Sequence, residues 1–256
     1  MLFSPLLLLC CCAFAAGFVD AVVGGGGLIQ TPASLVLLPQ LPVATVIGSL
    51  KIPSFTGTLF ATFQYSRKVR FYTKQLLLMI PLAFIAAFTG SELLTHISDR
   101  WIKPVLLVVL AGVAIYTYTN KKFGQHTIKE VDENRRWIYV TLISLGMGLY
   151  DGCIGPGAGS FLILAFISVL GWDFLHASAH AKLLNLATNA GSILLFLLKG
   201  TILWKFAIPM AICNGIGGVA GARIAIARGN RFIRYFFLAV VLATLLRFAW
   251  EVFFKG

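Results

Sequence analysis

The stretch AGFVDAVVGGGGL (residues 16–28) places one carboxylate and four consecutive glycines inside apolar sequence, and MGLYDGCIGPGAG (residues 147–159) repeats this pattern. The repeat distance is 151 − 20 = 131 residues. It pairs the following residues: Asp20 with Asp151, Gly24 with Gly155, Gly26 with Gly157, and Lys51 with Lys182. Acids, lysines and glycine breaks are costly in lipid, so their duplication indicates a substrate path through a membrane.

The composition is that of a membrane protein. Hydrophobic residues make up 59% and charged residues 12% of the 256 residues, whereas soluble domains carry about 25% charged residues. Apolar runs of spanning length recur, and no alternating barrel pattern is present. Because backbone groups in lipid must be satisfied internally, we predict an all-α polytopic membrane protein whose partner is the lipid bilayer.

The net charge of +12 comes mainly from basic residues in short loops between apolar runs, such as Arg67, Lys68, Arg70 and Lys74. This distribution is typical of the positive-inside rule and not of nucleic-acid binding. We therefore predict no nucleic-acid partner.

The chain divides into two predicted repeats, residues 1–119 and 137–256, joined by a polar linker at 120–136. Each repeat is predicted to hold four transmembrane helices, about eight in all. Each also holds a glycine-broken re-entrant half-helix, 28–38 or 160–170, since a crossing needs about 20 residues. The apolar N-terminal run continues into the first motif, so we interpret it as the first helix and not as a cleaved signal.

An even number of crossings per repeat predicts parallel repeats with both termini on one side, and the Lys and Arg count favours the cytoplasm. The loop with Arg228, Arg231 and Arg234 would then face outward. If the half-helices add a crossing, the repeats become five plus five and inverted. The sequence leaves both topologies open, as it does the oligomeric state, for which a homo-oligomer is one option.

The glycine breaks are candidate anion sites. Four successive glycines disfavour a helix, and unwound backbone in a membrane protein is tolerated where it lines a cavity. The half-helix that follows then directs its electropositive N-terminus into that cavity. The candidate substrate-binding glycines are Gly24, Gly25, Gly26, Gly155 and Gly157. The alternative is close helix packing through small residues.

Two polar stripes add cationic and hydrogen-bonding groups. Each has a lysine at i and polar residues at i+3 and i+7 of one helix face: Lys51, Ser54 and Thr58 in the first half, and Lys182, Asn185 and Asn189 in the second. A lysine within a membrane needs a partner or a watery cavity. We predict that both stripes bind substrate; the alternatives are an internal salt bridge to Asp20 or Asp151, or snorkelling to the interface.

Three ionisable residues are candidates for proton coupling: Asp20, Asp151 and His180. Buried carboxylates have raised pKa values, and histidine titrates near neutral pH. The alternatives are N-capping by the carboxylates and helix packing by the histidine. The sequence predicts no metal site and no cofactor, because metal-ligand and nucleotide-binding spacings are absent.

The motifs resemble those of the sulfite exporter TauE/SafE family. The similarity rests on GFVD at 17–20 with GGGGLI at 24–29, on DGCIGPG at 151–157, and on AKLLNLATN at 181–189. It implies a multi-pass permease of the bacterial inner (plasma) membrane for sulfite or an organosulfonate. The first half lacks the asparagines of the second, which implies that the half-sites differ and that recognition centres on Lys182, Asn185 and Asn189.

The sequence therefore predicts a secondary transporter of a small anion, such as sulfite or an organosulfonate, coupled to protons. A passive anion channel and a membrane assembly factor are the alternatives. No Gly-x-Ser-x-Gly, His-Glu-x-x-His or paired catalytic acids occur, so we do not expect an enzyme.

Overall fold

The computed structural model describes residues 3–98, 100 and 132–254, and these residues form helices. The helices are α1 (Phe3–Val23), α2 (Gly27–Leu37), α3 (Val43–Ser66), α4 (Thr73–His96), α5 (Glu133–Cys153), α6 (Ala158–Leu170), α7 (Phe174–Leu198) and α8 (Trp204–Phe254). In this part of the chain, five stretches are long and apolar enough to cross a membrane. The protein is thus an all-helical polytopic membrane protein, as predicted. The predicted fourth helix (101–119) and most of the linker lie outside the described residues.

Glycines in the left-handed region end the helices where the sequence predicts breaks. Gly24 has φ +76°, and Gly155 and Gly157 have φ +89° and +83°. An L-residue with a side chain rarely adopts these values. Within α8, Gly229 has φ 66° and ψ −164°, so this long helix consists of two helices meeting at a kink.

The glycine breaks turn two helix pairs into hairpins. α2 runs back along α1, since Leu38 after its end packs in one cluster with Leu9 of α1 and Val46 of α3. α6 likewise runs back along α5, and its end packs near Val140 at the start of α5. The two hairpin tips meet, where Ser160 N donates to Gly24 O at 3.1 Å. The half-helices predicted at 28–38 and 160–170 are therefore the returning arms of these hairpins.

The two halves interleave through glycine contacts that recur at the 131-residue offset. Gly90 of α4 lies against the Leu149 carbonyl of α5, and Gly221 of α8 lies against the Phe18 carbonyl of α1. The pairs correspond, because 90 + 131 = 221 and 18 + 131 = 149. Each half therefore packs its last described helix on the first helix of the other half.

Equivalent helices of the two halves run in opposite directions. Gly48 near the start of α3 contacts Phe196 near the end of α7, while Tyr72, just beyond the end of α3, donates its N–H to His180 Nε2 near the start of α7. The starts of α2, α3 and α4 precede those of α6, α7 and α8 by 131 residues each, and α1 precedes α5 by 130. These offsets support the predicted duplication, and the antiparallel pairing favours inverted repeats over parallel ones.

One end of the helix bundle collects most of the described basic residues. We call it the basic end; its members are Arg67, Lys68, Arg70, Lys74, Arg135, Arg136, Arg228 and Arg231. Arg100, Lys199 and Lys205 lie towards the other end. Asn230, next to the Gly229 kink, accepts from the Leu175 N–H at the start of α7 at 2.7 Å. The loop with Arg228 and Arg231 therefore lies with the other basic loops and does not face the opposite side, as the parallel topology required.

Asp173 caps α7, the helix that carries Lys182. Its Oδ1 accepts from the backbone N–H groups of Leu175 and His176 at 2.9 and 3.2 Å. Burial acts to raise the pKa of Asp173, but hydrogen bonds and charge from His176 outweigh it and hold the pKa below its ordinary value. The capping contribution is therefore present above the ordinary carboxyl pKa and is lost as the pH falls through the lowered value.

We expect Asp173→Ala to lower the free energy of unfolding by about 1 kcal/mol at neutral pH, the usual effect of losing an N-cap. Asp173→Asn should keep most of it, because asparagine also caps helices. The measurement is thermal unfolding in detergent between pH 7 and pH 3. The wild-type advantage over Asp173→Ala should shrink at the acidic end; an advantage that grows there would contradict the sign.

Candidate functional site

Two buried ion pairs cross between the halves. Lys51 Nζ of α3 lies 2.9 Å from Asp151 Oδ1 of α5, and both side chains are 6% exposed. Lys182 Nζ of α7 lies 3.1 Å from Asp20 Oδ2 of α1, with the lysine side chain fully buried and the carboxylate 17% exposed. Each lysine therefore neutralises the acid of the other half, which is one of the alternatives left open by the sequence.

Each carboxylate group has a second partner. Thr58 donates to Asp20 Oδ2 at 3.4 Å, and Thr188 donates to Asp151 Oδ2. The lysines also bond to the backbone carbonyls of the acids they pair with. A buried carboxylate with a cation and a hydroxyl donor is stabilised in its charged form. The site therefore holds two lysines and two aspartates with no net formal charge.

A cavity of about 40 Å³ lies beside the Lys51–Asp151 pair. A single water needs about 10–15 Å³ by this measure, so the cavity has room for a few waters or one small oxyanion. Gly27, the first residue of α2, and Ala158 and Gly159, the first residues of α6, line it. Two helix N-termini therefore border one cavity, and both favour negative charge there.

The glycines at the tips allow the two hairpins to touch. A Cβ on Gly24 would overlap the carbonyl of Gly159, and a Cβ on Gly159 would lie 2.7 Å from Gly24 Cα. Ser160 Oγ also donates to Val23 O at 2.9 Å. The breaks thus serve both of the roles considered from the sequence, close packing and exposure of helix N-termini to a cavity.

The structure brings most of the predicted site residues together. Among the candidates, the cavity is lined by Asp20, Gly24, Lys51, Ser54, Asp151, Gly155, Gly157, Asn185 and Asn189. Others lie behind its wall: Thr58 and Lys182 bond to Asp20, Gly25 faces Ser160, and Gly26 packs against Ala16 and Asp20. Lys182, expected to centre recognition, is the more deeply buried of the two lysines in this structure.

His180 lies in an aromatic cluster at the basic end. Its ring stacks on Tyr72 with centroids 5.0 Å apart and lies 4.4 Å from that of Trp172. Nε2 accepts from the Tyr72 N–H at 2.9 Å, and Nδ1 donates to the His176 carbonyl at 2.7 Å. This arrangement suits a neutral imidazole, because a proton on Nε2 would displace the Tyr72 N–H.

Sequence reasoning missed two hydroxyl groups of the site. Thr188 bonds to Asp151, yet its equivalent position is Gly57 (188 − 131), so the repeat did not mark it. Tyr150 donates to Pro156 O at 2.6 Å and ties the second break to its own helix. Its position next to Asp151 was the available signal. In the described ranges, no three His, Cys, Asp or Glu side chains group as metal ligands would.

The chain is similar to known bacterial membrane proteins along nearly its whole length. The family model described as "Sulfite exporter TauE/SafE" matches residues 9–248. "Probable membrane transporter protein ORF9" of Sinorhizobium sp. is 33% identical over 236 residues, covering 91% of this chain and 87% of that protein. "Probable membrane transporter protein YfcA" of Escherichia coli K12 is 32% identical over 238 residues, covering 91% and 86%. No solved structure matches the chain.

Proposed function

Because the chain belongs to the sulfite exporter TauE/SafE family of membrane transporters, we propose that it carries a small oxyanion, sulfite or an organosulfonate, together with protons. The observation that supports this most directly is the cavity beside Lys51, which two helix N-termini border. Its donors are a lysine, backbone N–H groups and the amides of Asn185 and Asn189. This set matches an anion with several oxygen acceptors.

Protons enter the proposal through Asp151. Lys51 is neutralised by this carboxylate, so an anion competes with Asp151 for the same ammonium group. A proton on Asp151 removes the competing charge and leaves Lys51 free to bind the anion. By linkage, the bound anion raises the affinity of Asp151 for its proton by the same factor. Anion and proton therefore bind together, and Asp20 with Lys182 supplies an equivalent pair. His180 takes no part in this scheme.

The test is flux in proteoliposomes supplied with sulfite, sulfoacetate, sulfate and acetate. We expect a pH gradient, acidic on the anion side, to drive sulfite or sulfoacetate against its own concentration gradient. Asp151→Asn should abolish this accumulation, because the residue cannot release a proton. Lys199→Gln is the matched control, since Lys199 pairs with Glu92 away from the cavity. Equilibration without accumulation would support the passive channel instead.

The orientation follows from the basic end. If the positive-inside rule holds, this end faces the cytoplasm of a bacterial inner membrane. α1 then starts at the outer face, because it runs parallel to α8 and towards the basic end. This proposal differs from the cytoplasmic termini expected from loop charges alone.

A further inference from the structure

The cavity occupies only one side of the pseudo-two-fold axis. Ser54 of α3 and Asn185 of α7 occupy equivalent positions, since 54 + 131 = 185, and both line the cavity. The other α3 residues that line it, Ile47, Leu50 and Lys51, all lie on the N-terminal side of Ser54. Because α3 begins at the end opposite to the basic end, the cavity lies in that half of the protein.

The repeat offset divides the lining into two groups. Some lining residues are equivalent to one another, namely Asp20 to Asp151 and Gly24 to Gly155. The others are Ile47, Leu50, Lys51 and Asn189, whose equivalents are Ser178, Ala181, Lys182 and Thr58. These four equivalents are between 0% and 1% exposed. They cluster on the other side of the axis, towards the basic end.

Ser178 is the informative member of the buried group. Its Oγ is fully buried and has no hydrogen-bond partner among the described residues. An unpartnered buried hydroxyl costs free energy, and the equivalent position in the first half is the apolar Ile47. Ser178 precedes Lys182 by four residues and so lies on the same face of α7. A polar residue there is unexplained by packing but suits a cavity wall.

We propose that the protein alternates between this state and its mirror image, in which a cavity towards the basic end holds the oxyanion on Lys182, with Ser178 and Thr58 in its wall. This inference rests on the proposed function. The two inverted halves make equivalent contacts, so exchanging their conformations closes one cavity and opens the other. Asp20, Asp151 and the hairpin tips line both cavities, and the lysine that binds the anion changes from Lys51 to Lys182.

Single cysteines in a variant without the five native cysteines test the proposal. Ile47→Cys reports on the present cavity and Ser178→Cys on its mirror image. A membrane-impermeant maleimide is applied to right-side-out and inside-out vesicles without added anion. We expect Ile47→Cys to react from the side opposite to the basic end, and Ser178→Cys from the basic side. For a mirror state populated at about 0.1–10%, Ser178→Cys should react about 10–1,000-fold more slowly than Ile47→Cys.

Ser192→Cys is the matched control. Ser192 is also on α7, fully buried and without a partner in the described part of the chain, but neither it nor its equivalent Ala61 lines the cavity. It should react more slowly than Ser178→Cys from either side. Ala181→Cys, the mirror of Leu50→Cys, replaces Ser178→Cys if that variant does not fold.

The outcomes separate the two proposals. Labelling of Ile47→Cys and Ser178→Cys from the same side, or of Ser178→Cys no faster than Ser192→Cys, overturns the mirror state even if the protein transports anions. Labelling from opposite sides without flux of any tested anion supports the mirror state and contradicts the proposed function.

Discussion

Lys51→Met is expected to abolish transport and to lower the free energy of unfolding by about 3–5 kcal/mol, because it leaves Asp151 as an uncompensated buried charge. The pair is 2.9 Å long and each side chain is only 6% exposed. Asp151→Asn should do the same to Lys51. Thermal unfolding in detergent measures the stability, and sulfite flux in proteoliposomes measures the activity.

The double variant Lys51→Met/Asp151→Asn separates stability from function. It removes both charges and keeps an acceptor for Thr188, so it should recover most of the lost stability. Flux should stay absent, since no cation remains at the cavity. Lys199→Met, in the exposed pair with Glu92, should change neither quantity. Wild-type flux through Lys51→Met would show that the cavity does not bind the anion through this lysine.

Gly24→Ala is expected to be the most damaging single methyl group in the chain. Its φ of +76° costs an L-residue about 1–2 kcal/mol. In addition, the new Cβ would overlap the backbone of Gly159 at the contact between the hairpin tips. Because backbone on both sides must move, we expect loss of the folded protein or of all flux.

Gly200→Ala provides the matched control for this substitution. Gly200 has a similar φ of +63°, but a Cβ there meets nothing within 4 Å. It should cost only the backbone preference and leave flux intact. Thermal unfolding and flux of the two variants are compared directly; equal stability would mean that the tip contact contributes nothing.

The sequence predicts the membrane class, the glycine breaks and the members of the site well, because each depends on local chemistry. Gly24, Gly155 and Gly157 stand out as residues that a helix in lipid tolerates poorly. Lys51 and Lys182 stand out as charges that need partners. The repeat offset then links the two sets without any structural information.

The sequence does not show which partner each charge takes. Lys51 could have paired with Asp20 in its own half, and only the interleaving of the halves brings it to Asp151. The burial of Lys182 and the fixed hydrogen bonds of His180 have the same origin, since Tyr72 and Asp20 are distant in sequence. Tertiary packing decides these features, and the periodicity of single helices carries no record of it.

The crossed ion pairs also have a consequence for biosynthesis. When the first half has entered the membrane, Asp20 and Lys51 are both present, but their partners Lys182 and Asp151 have not yet been made. The ribosome must add 182 − 20 = 162 residues after Asp20 before its lysine exists. The first half therefore stays electrostatically incomplete during translation, and the hairpins reach their final positions only after α7 has been inserted.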